Sequence, residues 1–332
     1  MSGLKINFDD IYTGDMYVFD SIIGFHSRKY PDYNFSFFDL NTGKHLLDAF
    51  VRGQGPDEFS QLSGCQQFEQ ENGDIKLWMY EDVAGKFHLL NISQTLIEKK
   101  TVVDSVIDIR WTTPDSFFRP NSFVFALEDN KVITKNQAYK EDEKSYDYIP
   151  PAYHLFNIMD KSKIEDIILY DQPLINKDTE AAWFGEYQHS LDRIKPDKSK
   201  IAMGMQLLCK INILDLASGE LKGFRMKGTP DFKDLVKGST RDLRGYYLNV
   251  CVDNDYIFSF YSNNKYADIE NFYNSNEVHV FDWEGNAVKR LLLNQEGDYL
   301  RLDPVNKKLY TKNAADEVFC YEIKDLLYNG SR

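Results

Sequence analysis

The sequence predicts an all-β chain folded as a single six-bladed β-propeller of four-stranded antiparallel blades. Three observations carry this. A short β-rich run, a polar turn and a second β-rich run recur along the 332 residues. The turns fall at Asp39, Asn91, Asn157, Asp215 and Asp282, and more weakly at Glu322, a mean spacing of roughly 57 residues. Aromatic residues make up 14% of the chain, a composition that favours strands.

Each turn has a strand-like run upstream. These are Met16–Phe19, Ile75–Tyr80, Phe123–Leu127, Lys200–Met205, Tyr256–Tyr261 and Lys308–Thr311. The expected blades span about 11–55, 56–105, 106–175, 176–230, 231–293, and 294–328 together with 1–10. Four strands of ~5–6 residues with their turns need roughly 40 residues, so the surplus goes to loops. A β-sandwich needs only about 100 residues and has no such period. An α/β sheet would need amphipathic helices between strands, and the best short candidate is Pro230–Gly238. Seven blades, with a degenerate one inside 106–190, is the main alternative. The last hairpin ends near Asp325, leaving too little chain for another outer strand. Leu4 to Phe8 alternates apolar and polar residues. This N-terminal segment is therefore expected to complete the last blade and close the ring. Irregular stretches at 134–151, 171–190 and 225–247 are expected to be loops.

Charge excludes several partners. The chain carries 39 Lys and Arg against 52 Asp and Glu, a net −13, which repels nucleic-acid phosphates and anionic lipid. No apolar run approaches the ~18 residues of a membrane span. Met1 to Lys5 is not a signal-peptide core, so the sequence taken literally reads as cytoplasmic. A chain whose leader had been removed would look the same.

The four cysteines (Cys65, Cys209, Cys251 and Cys320) form no C-x-x-C pair and read as buried thiols, with a Cys209–Cys251 bridge left open. The six histidines form no H-E-x-x-H, and Glu186 with His189 is a lone E-x-x-H, so neither a metal nor another cofactor is expected. Asp253-Asn254-Asp255 lacks the glycine and distal Glu of a calcium loop. No G-x-S-x-G elbow occurs.

Gly53-Gln54-Gly55-Pro56-Asp57-Glu58-Phe59 superficially matches a phosphate loop. However, Pro56 removes an amide, and Asp57 and Glu58 would repel phosphate. It reads as a structural turn in which Gly53 and Gly55 permit positive φ, Pro56 sets the kink, Glu58 completes the motif and Phe59 plugs the gap between blades. Binding candidates are aromatic residues with nearby cations. They are Trp111 with Phe117, Phe118 and Arg119; Trp183 with Phe184 and Tyr187; and Arg241, Arg244, Tyr246 and Tyr247. Aromatic faces stack on sugar or peptide, and Arg gives bidentate hydrogen bonds to carboxylates. If Arg241 and Arg244 both face the central channel, they make a local anion site.

With these residues in view, the chain resembles the TolB-like six-bladed β-propeller family of Bacteroidetes, relatives of NHL-type propellers. Phe38 to Lys44 resembles the family's first-blade hairpin, and in the following Arg52 to Phe59 its G-x-G-P-x-E-F turn matches at every fixed position. Tyr246-Tyr247, Asp255 to Ser262, Val280 to Asn286 and Asp303 to Tyr310 resemble its last blades. The resemblance implies a cell-envelope location and no shared catalytic mechanism. The resulting expectation is a monomeric, non-catalytic module. It would bind a glycan, a peptide or an envelope protein at one propeller face. A hydrolase or lyase using loop carboxylates and His189 is the alternative.

Overall fold

The computed structural model describes residues 1–10, 12–27, 29–81, 83–112, 123–136, 152–169, 189–231, 234, 243–268 and 271–328, apart from the side chains at 65 and 66. After β1 (Leu4–Ile6), the first sheet holds β2 (Asp15–Phe19), β3 (Ile22–His26), β4 (Tyr33–Asp39) and β5 (His45–Val51). The second holds β6 (Leu62–Glu71), β7 (Asp74–Glu81), β8 (Lys86–Asn91) and β9 (Val103–Asp108). The third holds β10 (Val124–Ala126), β11 (Lys131–Asn136), β12 (Ala152–Asn157) and β13 (Ser162–Ile168). The fourth holds β14 (Ser190–Ile194), β15 (Lys200–Met205), β16 (Lys210–Asp215) and β17 (Leu221–Arg225). The fifth holds β18 (Tyr247–Val252), β19 (Tyr256–Tyr261), β20 (Ser275–Asp282) and β21 (Ala287–Gly297). The sixth holds β22 (Tyr299–Asp303), β23 (Lys308–Lys312) and β24 (Val318–Glu322), and its fourth strand is β1.

The molecule is thus a six-bladed β-propeller with four-stranded antiparallel blades. The first strands of neighbouring blades meet around the axis: β2 lies against β22, β22 against β18, and β18 against β14, while β6 touches both β10 and β14. Blades are covered on both faces by their neighbours. Their inner strands therefore read as continuous apolar runs, as in β4, where Phe35, Phe37 and Phe38 are all buried. The wedge between blades is filled largely by rings. Phe35 stacks on Phe37 at 5.3 Å, and both meet Phe50 edge-on. Outer strands such as β13 are mostly exposed.

The sequence repeat has a physical cause in the hairpin turns. Asp39 Oδ1 accepts from the amides of Asn41 (3.0 Å) and Thr42 (2.7 Å), and Gly43 closes the turn at φ 71°. Asp215 accepts from the Ser218 amide at 2.9 Å, with Gly219 at φ 69°. Asp282 accepts from Glu284 and Asn286, with Gly285 at φ 84°. An Asp side chain can pin such a turn, and glycine supplies the left-handed residue without a Cβ clash.

Asn91 does something else. It caps a helix, α1 (Ile92–Glu98), by accepting from the Gln94 amide at 3.0 Å. The expected hairpin turn is a helical connection there. Glu322 is followed by a short helix, α2 (Lys324–Leu327), in place of a capped turn. The runs read upstream of the turns are also not equivalent: Met16–Phe19 falls in innermost β2 and Phe123–Leu127 surrounds innermost β10, whereas the other four are second strands. Both positions are buried on two faces and carry the same apolar signature.

β1 pairs antiparallel with β24, Leu4 opposite Cys320 and Ile6 opposite Val318. The chain then crosses to the first blade. Asp9 donates its amide to the Gly43 carbonyl at 3.0 Å and accepts the His45 amide at 2.7 Å. Phe8 packs edge-on against Tyr12, Phe25 and Phe38. A Cβ on Gly43 would stand 1.9 Å from the Asn7 carbonyl oxygen, so the segment lies directly on this turn.

The Gly53–Phe59 turn joins the first and second blades. Phe59 is buried between Phe50 and His88. Neither Gly53 nor Gly55 has positive φ, contrary to the expectation. The glycines are needed because the Glu58 carboxylate folds back over them: Gly55 N–H donates to Glu58 Oε2 at 2.9 Å, and a Cβ on Gly53 would meet that oxygen at 1.8 Å. Cys209, Cys251 and Cys320 are free thiols. Most of the Pro230–Gly238 stretch lies outside the described residues.

Candidate functional site

The innermost strands start at one face of the ring, and a cavity of about 650 Å³ opens there. It takes residues from all six blades, in order Asp15, Ser63, Val124, Arg193, Asn249 and Arg301. Inner strands expose alternate side chains to the axis. Leu300 and Leu302 of β22 go into the inter-blade core while Arg301 between them lines the cavity.

Arg301 ties three blades together. Its Nε donates to the Met16 carbonyl of β2 at 2.5 Å, and its Nη1 donates to Asn249 Oδ1 of β18 at 2.9 Å. Asn249 in turn donates from Nδ2 to the Asp298 carbonyl at 2.7 Å. Burial raises the Asp298 carboxyl pKa above the usual carboxylate range, and its Oδ1 is buried with no hydrogen-bond partner. Burial and the nearby Asp15 carboxylate raise the Tyr299 phenol pKa. Behind the wall, Lys135 pairs with Asp192 at 2.7 Å, and Ser190 and the Tyr153 hydroxyl complete the group. At the rim stand the exposed Lys29 and Tyr273.

His189 lines the cavity, with Nδ1 2.7 Å from Gln206 Oε1, an amide and not a carboxylate. The His–carboxylate pairs among the described residues are His45–Asp48, His88–Glu81, His154–Asp166 and His279–Glu277, and none of them lines the cavity. Among the described residues no cluster of His, Cys, Asp and Glu is arranged to hold a metal ion.

The His88–Glu81 pair instead locks the second blade. Burial alone would push the Glu81 pKa up, but hydrogen bonds from the Ser60 amide and hydroxyl and from His88 outweigh it and leave it lowered. An ionised Glu81 fixes the His88 proton on Nε2, 3.0 Å away. Nδ1 is buried and has no partner. Protonation would leave a buried N–H with nothing to bond, and burial accordingly lowers the His88 pKa below 6.5 despite the Glu81 charge.

The sign of the pH effect follows. Stability is complete above pH ~6.5, falls as the pH drops from there towards the ring's folded pKa, and falls again below ~4.5 as Glu81 protonates. His279, also lowered by burial, adds to the upper step. The melting temperature should therefore drop between pH 7.5 and 5.5, and less in His88→Gln. A flat profile, or one identical in the variant, would contradict this assignment.

Of the sequence-predicted binding residues, Trp111, Arg244, Tyr246 and Tyr247 lie among the described residues, and none of these four lines the cavity. Tyr246 (4% exposed) and Tyr247 (2%) are buried. The Tyr247 hydroxyl lies 3.3 Å from His279 Nδ1 and 3.9 Å from Cys209 Sγ, inside the wedge between blades. Arg244 donates to the Asn263 carbonyl at 2.7 Å and does not line the cavity. Trp111 packs edge-on to Phe156 and donates to the Asp108 carbonyl. Arg119, Trp183, Tyr187 and Arg241 lie outside the described residues. Sequence reasoning did not single out Arg193, Asn249 and Arg301. Their available signal was a charged or amide residue inside an otherwise apolar strand, as in Tyr299-Leu300-Arg301-Leu302.

The same architecture occurs in Bacteroides. A member of the DUF4221 family from Bacteroides vulgatus matches with a TM-score of 0.57 at 11% identity, covering 96% of this chain and 95% of that one. A candidate exported protein from Bacteroides fragilis matches with a TM-score of 0.50 at 13% identity, covering 99% of this chain and 87% of that one. Identities this low establish a shared fold and nothing finer. No protein-family model and no curated protein matches the sequence. Among the described residues no helix is long and apolar enough to cross a membrane.

Proposed function

We propose that the protein is a non-catalytic binding module of the bacterial cell envelope, of the TolB-like kind, that takes part of a glycan, peptide or partner protein into the mouth of its central channel. The observation that carries the reading is the cavity of about 650 Å³ to which all six blades contribute. That volume suits a ligand the size of a disaccharide or short peptide. Its polar groups are spaced around a rigid ring, which favours recognition over chemistry. A hydrolase or lyase centred on His189 would need a carboxylate where the ring meets Gln206. Support for the envelope comes from the exported-protein neighbour and from the motif resemblance at Gly53–Phe59.

Thermal-shift screening of sugars, short peptides and small organic acids tests the reading. A ligand at 100 times its dissociation constant stabilises by about 2.7 kcal/mol. Hits should weaken when the rim is cut back by Tyr273→Ala with His189→Ala. No hits, or hits indifferent to these changes, would overturn it.

A further inference from the structure

The most buried cation of the cavity forms no ion pair among the described residues. Arg301 is 5% exposed, and its hydrogen bonds go to the Met16 and Leu300 carbonyls and to Asn249. Its Nη2 bonds to none of the described residues, and no carboxylate among them forms an ion pair with it.

The chain treats its buried lysines differently. Lys135 pairs with Asp192, Lys76 with Glu71 and Asp104, and Lys312 with Asp316. With 52 acidic residues available, the missing partner at Arg301 is a property of the site and not of a shortage. A buried guanidinium without a counter-charge is costly, and a ligand that supplies one recovers that cost on binding.

A second guanidinium joins it. Arg193 also lines the cavity. Burial pushes the Cys251 thiol of β18 up to about 12, and both Arg301 and Arg193 pull against that rise, so both charges reach the same inner strand. Lys29 stands exposed at the rim, with no ion pair among the described residues. Two acids, Asp15 and Asp298, also line the cavity.

We propose that Arg301, assisted by Arg193, binds the carboxylate of the ligand taken into this cavity. This rests on the channel-binding reading above. The planar guanidinium fork matches a carboxylate, and Asn249 holds the fork in place from the fifth blade. The carboxylate belongs to an acidic sugar or to a peptide C-terminus, and matched pairs of probes separate the two.

Calorimetric titration of the wild-type protein would compare D-glucuronate with D-glucose, and N-acetyl-alanyl-alanine with its C-terminal amide. The acid of one pair should bind at least ~10-fold more tightly than its neutral twin, and Arg301→Gln should raise its dissociation constant about 10- to 100-fold. Because Arg301 also ties three blades together, Arg193→Gln and the wild-type acid-versus-neutral comparison decide the matter if Arg301→Gln does not fold. Neutral twins that bind as well as the acids, and lose binding on Tyr273→Ala, would sink the carboxylate assignment and leave the channel reading standing. Absence of binding by all four probes, or binding indifferent to every cavity variant, would overturn both.

Discussion

Asp192→Ala is expected to destabilise the propeller by about 3–5 kcal/mol, because it strands a buried ammonium. Asp192 is fully buried and accepts hydrogen bonds from Lys135 Nζ (2.7 Å), Ser190 Oγ (2.6 Å) and the Tyr153 hydroxyl (2.5 Å). The Lys135 side chain is only 3% exposed and belongs to the third blade, whereas Asp192 belongs to the fourth. The group is therefore a buried inter-blade tie. Removing both charges together, as Lys135→Met with Asp192→Leu, should cost much less than the single change, since no unpaired charge remains. Denaturant unfolding measures both. A single-variant loss under ~1 kcal/mol, or a double variant as unstable as the single, would show that the tie is not what holds these blades.

Deleting residues 1–10 is expected to lower the melting temperature by several degrees. The deletion removes β1 from the edge of β24, the Lys5–Glu317 pair, and the Asp9 bonds to the Gly43 turn. It also removes the partly buried Phe8 from its cluster with Tyr12, Phe25 and Phe38, a loss worth about 1 kcal/mol. At roughly 2 °C per kcal/mol for a large domain, these losses are visible in a scan. The bared β24 edge should also promote association between chains. An unchanged melt would mean that the ring does not depend on this segment for closure.

Much of the fold was legible because the repeat has a local cause. Asp39, Asp215 and Asp282 each pin a hairpin turn beside a glycine with positive φ, and such residues stand out in sequence. Leu4–Ile6 was readable from alternation alone. Helix α1 was not, because Asn91 serves a helix cap with the same side chain that pins a turn elsewhere. The cavity was hardest to read. Aromatic residues beside cations, such as Tyr246 and Tyr247, signal stacking surfaces, but in a propeller the rings go mainly into the wedges between blades. The next residues, Leu248 and Asn249, are the ones that reach the cavity. Which residues converge on the axis depends on the phase of six strands far apart in sequence, and only the folded ring brings Arg193, Asn249 and Arg301 together.

Bound ligand is expected in the channel mouth. The most direct measurement is a crystal structure of the protein with the tightest carboxylate found by titration. Density inside the cavity, with the carboxylate against Arg301 and within reach of Arg193, is the expected result. Density on an outer strand or a blade edge, with the cavity filled only by water at saturating ligand, would contradict it.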